Sequence, residues 1–117
     1  MKVILDTNFL MAVVQFKIDV FFHLSGNELY VIEPVVSELE SLSQGKSKDA
    51  TAARIALQLI KTKKLKILKS ESKADAALVE YSKKGYSIAT QDKILRDKIK
   101  KANGKSIYIR QKKYVIL

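Results

Sequence analysis

Residues 3–8 read VILDTN. Val3, Ile4 and Leu5 form an apolar run of strand length, the pattern of a strand covered on both faces. Asp6 and Asn8 stand where that strand ends, with Thr7 between them. A carboxylate at the exit of a central strand has two uses. It caps the helix that follows, or it holds a metal ion.

Working outward, apolar runs of similar length recur at Leu29–Ile32, Leu65–Leu68, Tyr86–Ala89 and Ser106–Ile109, after a first strand at Lys2–Leu5. Helical spacing fills the gaps between them. Two short helices are expected around Phe9–Val14 and Ile18–Leu24, ended by Gly26. Pro34 suits a first helical position, and Val35, Leu39 and Leu42 share a face. A helix over about Lys48–Thr62 carries Ala53, Leu57 and Ile60 on one face. Ala74, Leu78 and Tyr81 line another, ended by Gly85, and Leu95, Ile99 and Ala102 line a last one, ended near Gly104. Strand alternating with helix predicts one α/β domain over 1–117: a three-layer α/β/α sandwich around a mostly parallel sheet of about five strands. The tail Tyr108–Leu117 is expected to add a short antiparallel edge strand. Strand 1 should lie centrally, with Asp6 close to the exits of strands 3 and 4.

With 117 residues, 47% hydrophobic and 29% charged, the chain is long enough for one core and too apolar for disorder. The absence of cysteine excludes disulfides and thiolate metal sites, and fits a reducing cytoplasm. The most apolar stretch, Phe9–Leu24, is broken by Gln15, Lys17 and Asp19. A membrane span needs roughly 20 mostly apolar residues, so no membrane partner is expected. Met1–Lys2 leads straight into the first strand, and no leader is expected either. Net charge is +10 and uneven: residues 1–60 sum to −2, residues 61–113 to +12. A basic half suggests a polyanion, most simply nucleic acid; a lysine-rich solvated surface is the alternative.

In a parallel sheet the strands' carboxyl ends share one edge, where ligands bind. Asp6 ends strand 1, Glu38 lies one turn into the helix after strand 2, and Asp75 and Asp92 open the helices after strands 3 and 4. Each has a structural alternative. Asp6 and Asp92 suit helix N-termini, and Ser72-Lys73-Ala74-Asp75 fits a capping box. Glu38 lies about 60° from Val35 on a helical wheel, bordering the apolar stripe. Four acids on one edge repel one another and resist burial; a cation resolves both problems. Oxygen ligands without His or Cys point to Mg²⁺ or Mn²⁺. Asp19, Asp49 and Glu71 read as ordinary surface acids.

The order and spacing of VILDTNFL, EPVVSELESL, KADAAL and SIATQDKILRDKI resemble the PIN-domain ribonucleases over nearly the whole chain. The resemblance implies Mg²⁺- or Mn²⁺-dependent cleavage of RNA, with Asp6, Glu38, Asp75 and Asp92 as catalytic metal ligands. It implies that Asn8 and Thr90 orient the first and last of them. Asp97 falls near a position where some members carry an extra acid, although the wheel puts it opposite Leu95 and Ile99. Ala76 stands where many members have a second acid after Asp75. The tail KSIYIRQKKYVIL is similar to the ending of PIN nucleases that process small-subunit ribosomal RNA and of archaeal single-domain relatives. VapBC toxins are the other large group of stand-alone PIN domains. The resemblance therefore implies RNA as substrate and either a ribosome-assembly partner or an antitoxin. Family members often form homodimers, for which Phe16–Phe22 offers a surface.

In such a site metal ions activate the attacking water and stabilise the leaving oxygen, giving 5′-phosphate and 3′-hydroxyl ends. The only histidine, His23, sits in an apolar helical stretch and is read as structural. RNA would be held by three basic clusters. The first is Lys61, Lys63, Lys64, Lys66 and Lys69. The second runs along the last helix through Lys93, Arg96, Lys98, Lys100 and Lys101. The third is Arg110, Lys112 and Lys113, flanked by Tyr108 and Tyr114. Two other classes compete: an RNA-binding scaffold of weak activity, and a phosphoacceptor domain using Asp6 and Lys105. The second lacks the paired acid of D-x-D.

Overall fold

The computed structural model describes residues 1–117. Its sheet is built from β1 (Lys2–Leu5), β2 (Glu28–Ile32), β3 (Lys66–Leu68), β4 (Ser87–Ala89), β5 (Lys105–Arg110) and β6 (Tyr114–Ile116). The spatial order is β3-β2-β1-β4-β5-β6. All pairings are parallel except β5–β6, so the tail forms the expected antiparallel edge. The helices are α1 (Thr7–Gln15), α2 (Val20–His23), α3 (Glu33–Leu42), α4 (Lys48–Thr62), α5 (Ala74–Lys83) and α6 (Lys93–Lys101). α1, α3 and α4 pack together, and α5 packs on α6. The sheet lies between these two layers, because right-handed crossovers leftward from β1 and rightward from β3 fall on opposite faces.

Local chemistry explains the element ends. Ser47 Oγ accepts from Ala50 N at 3.0 Å and starts α4. Pro34 lies in the first turn of α3, where its missing N–H costs nothing. Gly85 takes φ +96° just after α5, a left-handed turn that stops the helix. The core joins all three layers. Val3, Ile4 and Leu5 are fully buried, as a strand covered on both faces must be, and Phe9 and Leu10 of α1 close over them. Each such side chain contributes about 2 kcal/mol of transfer free energy.

β1 is central, as expected, but its neighbours are β2 and β4. β3 lies at the sheet edge, two strands away, so Asp6 does not abut the exit of β3. Asp75 reaches the centre through the connection over residues 69–73. That connection is tied down where Ser70 N donates to Glu33 Oε1 at 3.2 Å and Tyr81 Oη donates to Lys69 O at 2.8 Å. No helix is long and apolar enough to cross a membrane. Within Phe16–Phe22, Val20 is buried and Phe22 is 74% exposed.

Candidate metal centre

The carboxyl edge of the sheet opens onto a cavity of about 450 Å³ lined by Asp6, Glu38, Asp75 and Asp92. The chain thus brings to one place the four acids expected from four separate segments. A fifth, Asp49 at the start of α4, lines it as well, with Thr7, Asn8, Met11 and Gln15 of α1. None of the 22 Lys and Arg residues lines the cavity. The one ion pair in the molecule, Lys83–Glu80 at 3.2 Å, lies on the outside of α5.

Asp6 is only 6% exposed. One carboxylate oxygen accepts from Thr7 N at 2.8 Å, and the other from the Thr90 hydroxyl at 2.8 Å. Burial pushes the Asp6 carboxyl above the ordinary carboxylate range. The two hydrogen bonds pull it back, and the Glu38 and Asp75 carboxylates push it up again. Asp92 caps α6: its Oδ1 accepts from Ile94 N at 2.9 Å and Leu95 N at 3.2 Å. Capping and lining are therefore compatible for Asp6 and Asp92, since each carboxylate keeps free lone pairs. The Ser72 capping box does not form. Lys73 occupies the N-cap, so Ser72 stands one residue too early and Asp75 is left without a capping role. Asp75 and Glu38 are both exposed on the cavity rim.

Thr90 couples Asp6 and Asp92. Its hydroxyl oxygen accepts from Asp92 N at 3.2 Å while its proton serves Asp6, with Asn8 Oδ1 as an alternative acceptor at 3.1 Å. Asn8 Oδ1 also accepts from Gln91 N at 2.9 Å. Thr90 thus bonds the Asp6 carboxylate and the Asp92 backbone directly, and Asn8 meets them only through Thr90 and Gln91 N. A model of the PIN like domain matches residues 3–112.

The chain belongs to the PIN-like domain family. It is similar to Ribonuclease VapC4 of Methanocaldococcus jannaschii. The two are 33% identical over 123 residues, which take in 97% of this chain and 93% of that protein. It is also similar to the solved structure of the PIN domain endonuclease Utp24. There the TM-score is 0.80 and the identity 29%, over 97% of this chain and 88% of that one. A domain of a functionally unknown protein from Methanocaldococcus jannaschii shares the fold, with TM-score 0.67 and 16% identity over 93% and 91% of the two chains.

The remaining expected site residues of this PIN-like domain fall elsewhere. Asp97 is exposed on α6 and does not line the cavity. His23 is exposed at the end of α2, edge-on to Phe22, and leaves the cavity without an imidazole. Lys98, Lys100 and Lys101 occupy the last turn of α6. A helix rises 1.5 Å per residue, so Lys100 lies about 12 Å from Asp92, towards the opposite sheet edge. The cluster at Lys61–Lys66 shares that edge, because α4 ends where β3 begins. Arg110, Lys112 and Lys113 follow the end of β5, which is parallel to β4, and so share the acids' edge.

Sequence reasoning missed Asp49 with its partner Gln15, missed Gln91, and gave Arg96 only a place in a basic cluster. Asp49 accepts from Gln15 Nε2 at 3.0 Å, which closes one wall of the cavity. Gln91 exchanges two side-chain hydrogen bonds with Ile109, at 3.1 and 2.6 Å, and so extends the β4–β5 ladder by one rung. Arg96 Nη1 donates to Thr90 O at 3.3 Å while its guanidinium stacks 4.4 Å from the Tyr108 ring centroid. The amide beside Thr90 in ATQD was the available signal for Gln91; Asp49 had none, since only the packing of α1 on α4 brings it in.

The donor set suits a hard divalent cation. It offers carboxylate, amide and hydroxyl oxygens with no countercharge, and Thr7 Oγ1 is buried at its edge with no hydrogen-bond partner. No three acids form a ready-made ligand cluster. The acids line one open cavity from separate segments rather than closing a cage around one point.

Proposed function

We propose that this protein is a divalent-metal-dependent endoribonuclease acting in RNA processing. The observation that carries the reading is the acid cavity with no basic side chain, inside a molecule of net charge +10. Asp6, Asp92, Glu38 and Asp75 would hold Mg²⁺ or Mn²⁺, buried Asp6 and half-buried Asp92 from positions fixed by hydrogen bonds and the two rim acids from movable ones. The ion supplies Lewis-acid stabilisation of the phosphate and lowers the pKa of water. The Thr90 hydroxyl keeps the Asp6 carboxylate in one orientation. Asn8, its carbonyl engaged by Gln91 N, has its amide nitrogen left to donate to a phosphate oxygen. With no histidine lining the cavity, whichever of exposed Glu38 and Asp75 does not hold the ion would take the proton of the attacking water and return one to the leaving O3′. Attack at phosphorus breaks the P–O3′ bond, leaving a 5′-phosphate and a 3′-hydroxyl. Arg110, Lys112 and Lys113 would bind the flanking backbone from the same edge. Lys98, Lys100 and Lys101 would reach only a strand that continues around α6.

The likeness to the PIN domain endonuclease Utp24 supports endonucleolytic cutting, and the resemblance of the tail KSIYIRQKKYVIL to nucleases that process small-subunit ribosomal RNA supports a processing role with a ribosome-assembly partner. The likeness to Ribonuclease VapC4 supports a second reading, a toxin held by an antitoxin. The test is incubation with a pool of structured RNAs and Mn²⁺, followed by sequencing of the ends. Expected are 5′-phosphate ends, loss of cutting in EDTA, and a fall of several orders of magnitude in Asp6→Asn, each tenfold being ~1.4 kcal/mol of transition-state stabilisation. Cyclic-phosphate ends, or cutting that survives EDTA, would overturn the reading.

A further inference from the structure

A second, mostly apolar groove of about 640 Å³ runs from the acid cavity along the junction of α1 and α4. Val14 and Phe16 line it from the end of α1, Ala52 and Ile55 from α4. Gln15 and Asp49 line both spaces, so their hydrogen bond forms a sill between them. Ile55 is 43% exposed. The character changes sharply across the sill. The acid side holds no base, whereas Lys17 and Lys48 line the groove and Lys112 Nζ lies 5.6 Å from the centroid of the Phe16 ring.

Lys112 is placed there at a backbone cost. Gln111 and Lys112 have φ of 54° and 58°, and Lys113 N donates to Arg110 O at 3.1 Å. This is the mirror-image hairpin turn that Asn-Gly normally supplies, here made from two long side chains that disfavour it. Strain of this kind clusters at binding and catalytic sites.

We propose that the α1–α4 groove is a base subsite: one unpaired nucleotide beside the cut phosphate takes the place of the Lys112 ammonium over the Phe16 ring and stacks there, and its phosphate is held by the displaced Lys112 with Lys17 and Lys48. The inference rests on the ribonuclease reading, because the acid cavity fixes where the cut phosphate lies. A flat apolar ring beside lysines fits a stacked base with its phosphate, and the groove begins at the edge of the acid cavity. The site selects an unpaired nucleotide, since a base within a duplex has both faces stacked on its neighbours.

The probe is a short single-stranded oligoribonucleotide carrying a fluorescent purine analogue at each position in turn. It is bound to the full chain with Ca²⁺ replacing Mn²⁺, and cutting in Mn²⁺ is read in parallel. The analogue should be quenched at one position only. Phe16→Leu keeps an apolar side chain but removes the ring; it should abolish the quenching and weaken binding about tenfold. Ile55→Glu, at an exposed position, should weaken binding similarly. Lys112→Gly should raise Tm by about 4 °C through relief of the turn and yet weaken binding, a pairing that a structural role would not give. Lys84→Glu, at the end of α5, should match the parent. An analogue unquenched at every position, with Phe16→Leu and Ile55→Glu binding like the parent, overturns the subsite and leaves the groove to a protein partner. Cutting with no quenching sinks the subsite alone. Quenching with no cutting sinks the ribonuclease reading and leaves the groove as a nucleotide-binding site without a cut phosphate beside it.

Discussion

Asp6→Asn should make the metal-free protein more stable. The change keeps side-chain volume and removes a buried negative charge. Burying an ion costs several kcal/mol even after relaxation, and Glu38 and Asp75 add repulsion. Against that, bonds from Thr7 N and Thr90 Oγ weaken when their acceptor becomes neutral, by about 1 kcal/mol each. The network can absorb the new amide, because the Thr90 hydroxyl can turn its proton to Asn8 Oδ1 at 3.1 Å and accept instead. The raised Asp6 carboxyl shows that burial and repulsion outweigh the two bonds. A net gain of about 1 kcal/mol is expected, or about 4 °C in Tm. The sign can be checked against pH. The native state holds the Asp6 proton more tightly than the unfolded chain, so parent stability falls as pH rises from 3.8 towards the raised native value. The gain in the variant should therefore be absent below that window and complete above it. Mn²⁺ should reverse the order, since a ligand at 100 times its Kd stabilises the parent by about 2.7 kcal/mol and the variant little. Thermal melts in EDTA and in Mn²⁺ at several pH values decide the matter. A variant that melts lower than the parent in EDTA and responds equally to Mn²⁺ would refute the reasoning.

Reversing Arg110, Lys112 and Lys113 to Glu should flatten the salt dependence of RNA binding, at about 0.7 log units per lost phosphate contact. Reversing Lys98, Lys100 and Lys101 should flatten it less, and equal effects in fluorescence anisotropy would contradict the edge assignment. The Tyr30 hydroxyl donates to Glu28 Oε2 at 2.6 Å and is pushed up to about 12. In an alkaline absorbance titration Tyr30→Phe should therefore remove the last tyrosine to ionise, and the parent's stability share from this pair should be lost only as pH climbs towards 12. A Cβ on Gly104 would meet Ile99 Cγ2 at 2.8 Å and Ser82 Cβ at 2.9 Å. Gly104→Ala should thus destabilise by about 1–3 kcal/mol in urea, and an unchanged midpoint would show that α6 can shift.

Much of this was legible in VILDTN and its echoes along the chain. Apolar runs of strand length gave all five parallel strands within a residue or two, and strand polarity alone put Asp6, Glu38, Asp75 and Asp92 on one edge. What stayed hidden depends on relations between distant segments. The place of β3 at the edge is set by where its crossover lands, and residues 65–68 carry no sign of it. Asp49 looked like any acid in the first turn of a solvent-facing helix until α1 packed against it. The lysines of α6 read as one cluster in the sequence, although the helix carries its early and late members to different edges. The Ser72 box failed because the helix starts one residue later than the motif assumes.

The Thr90–Asp6 bond spans 84 residues. Strand β1 meets β2 early in synthesis, but its other neighbour, β4, follows only after more than half the chain has been made. Until then Asp6 has no Thr90 to orient it, and neither Asp75 nor Asp92 exists beside it. Closing so long a loop is also slower than forming local helices. A nascent chain therefore has no complete acid cavity, because Thr90 and Asp92 come from its last third. The carboxyl edge is assembled only by completion of the fold.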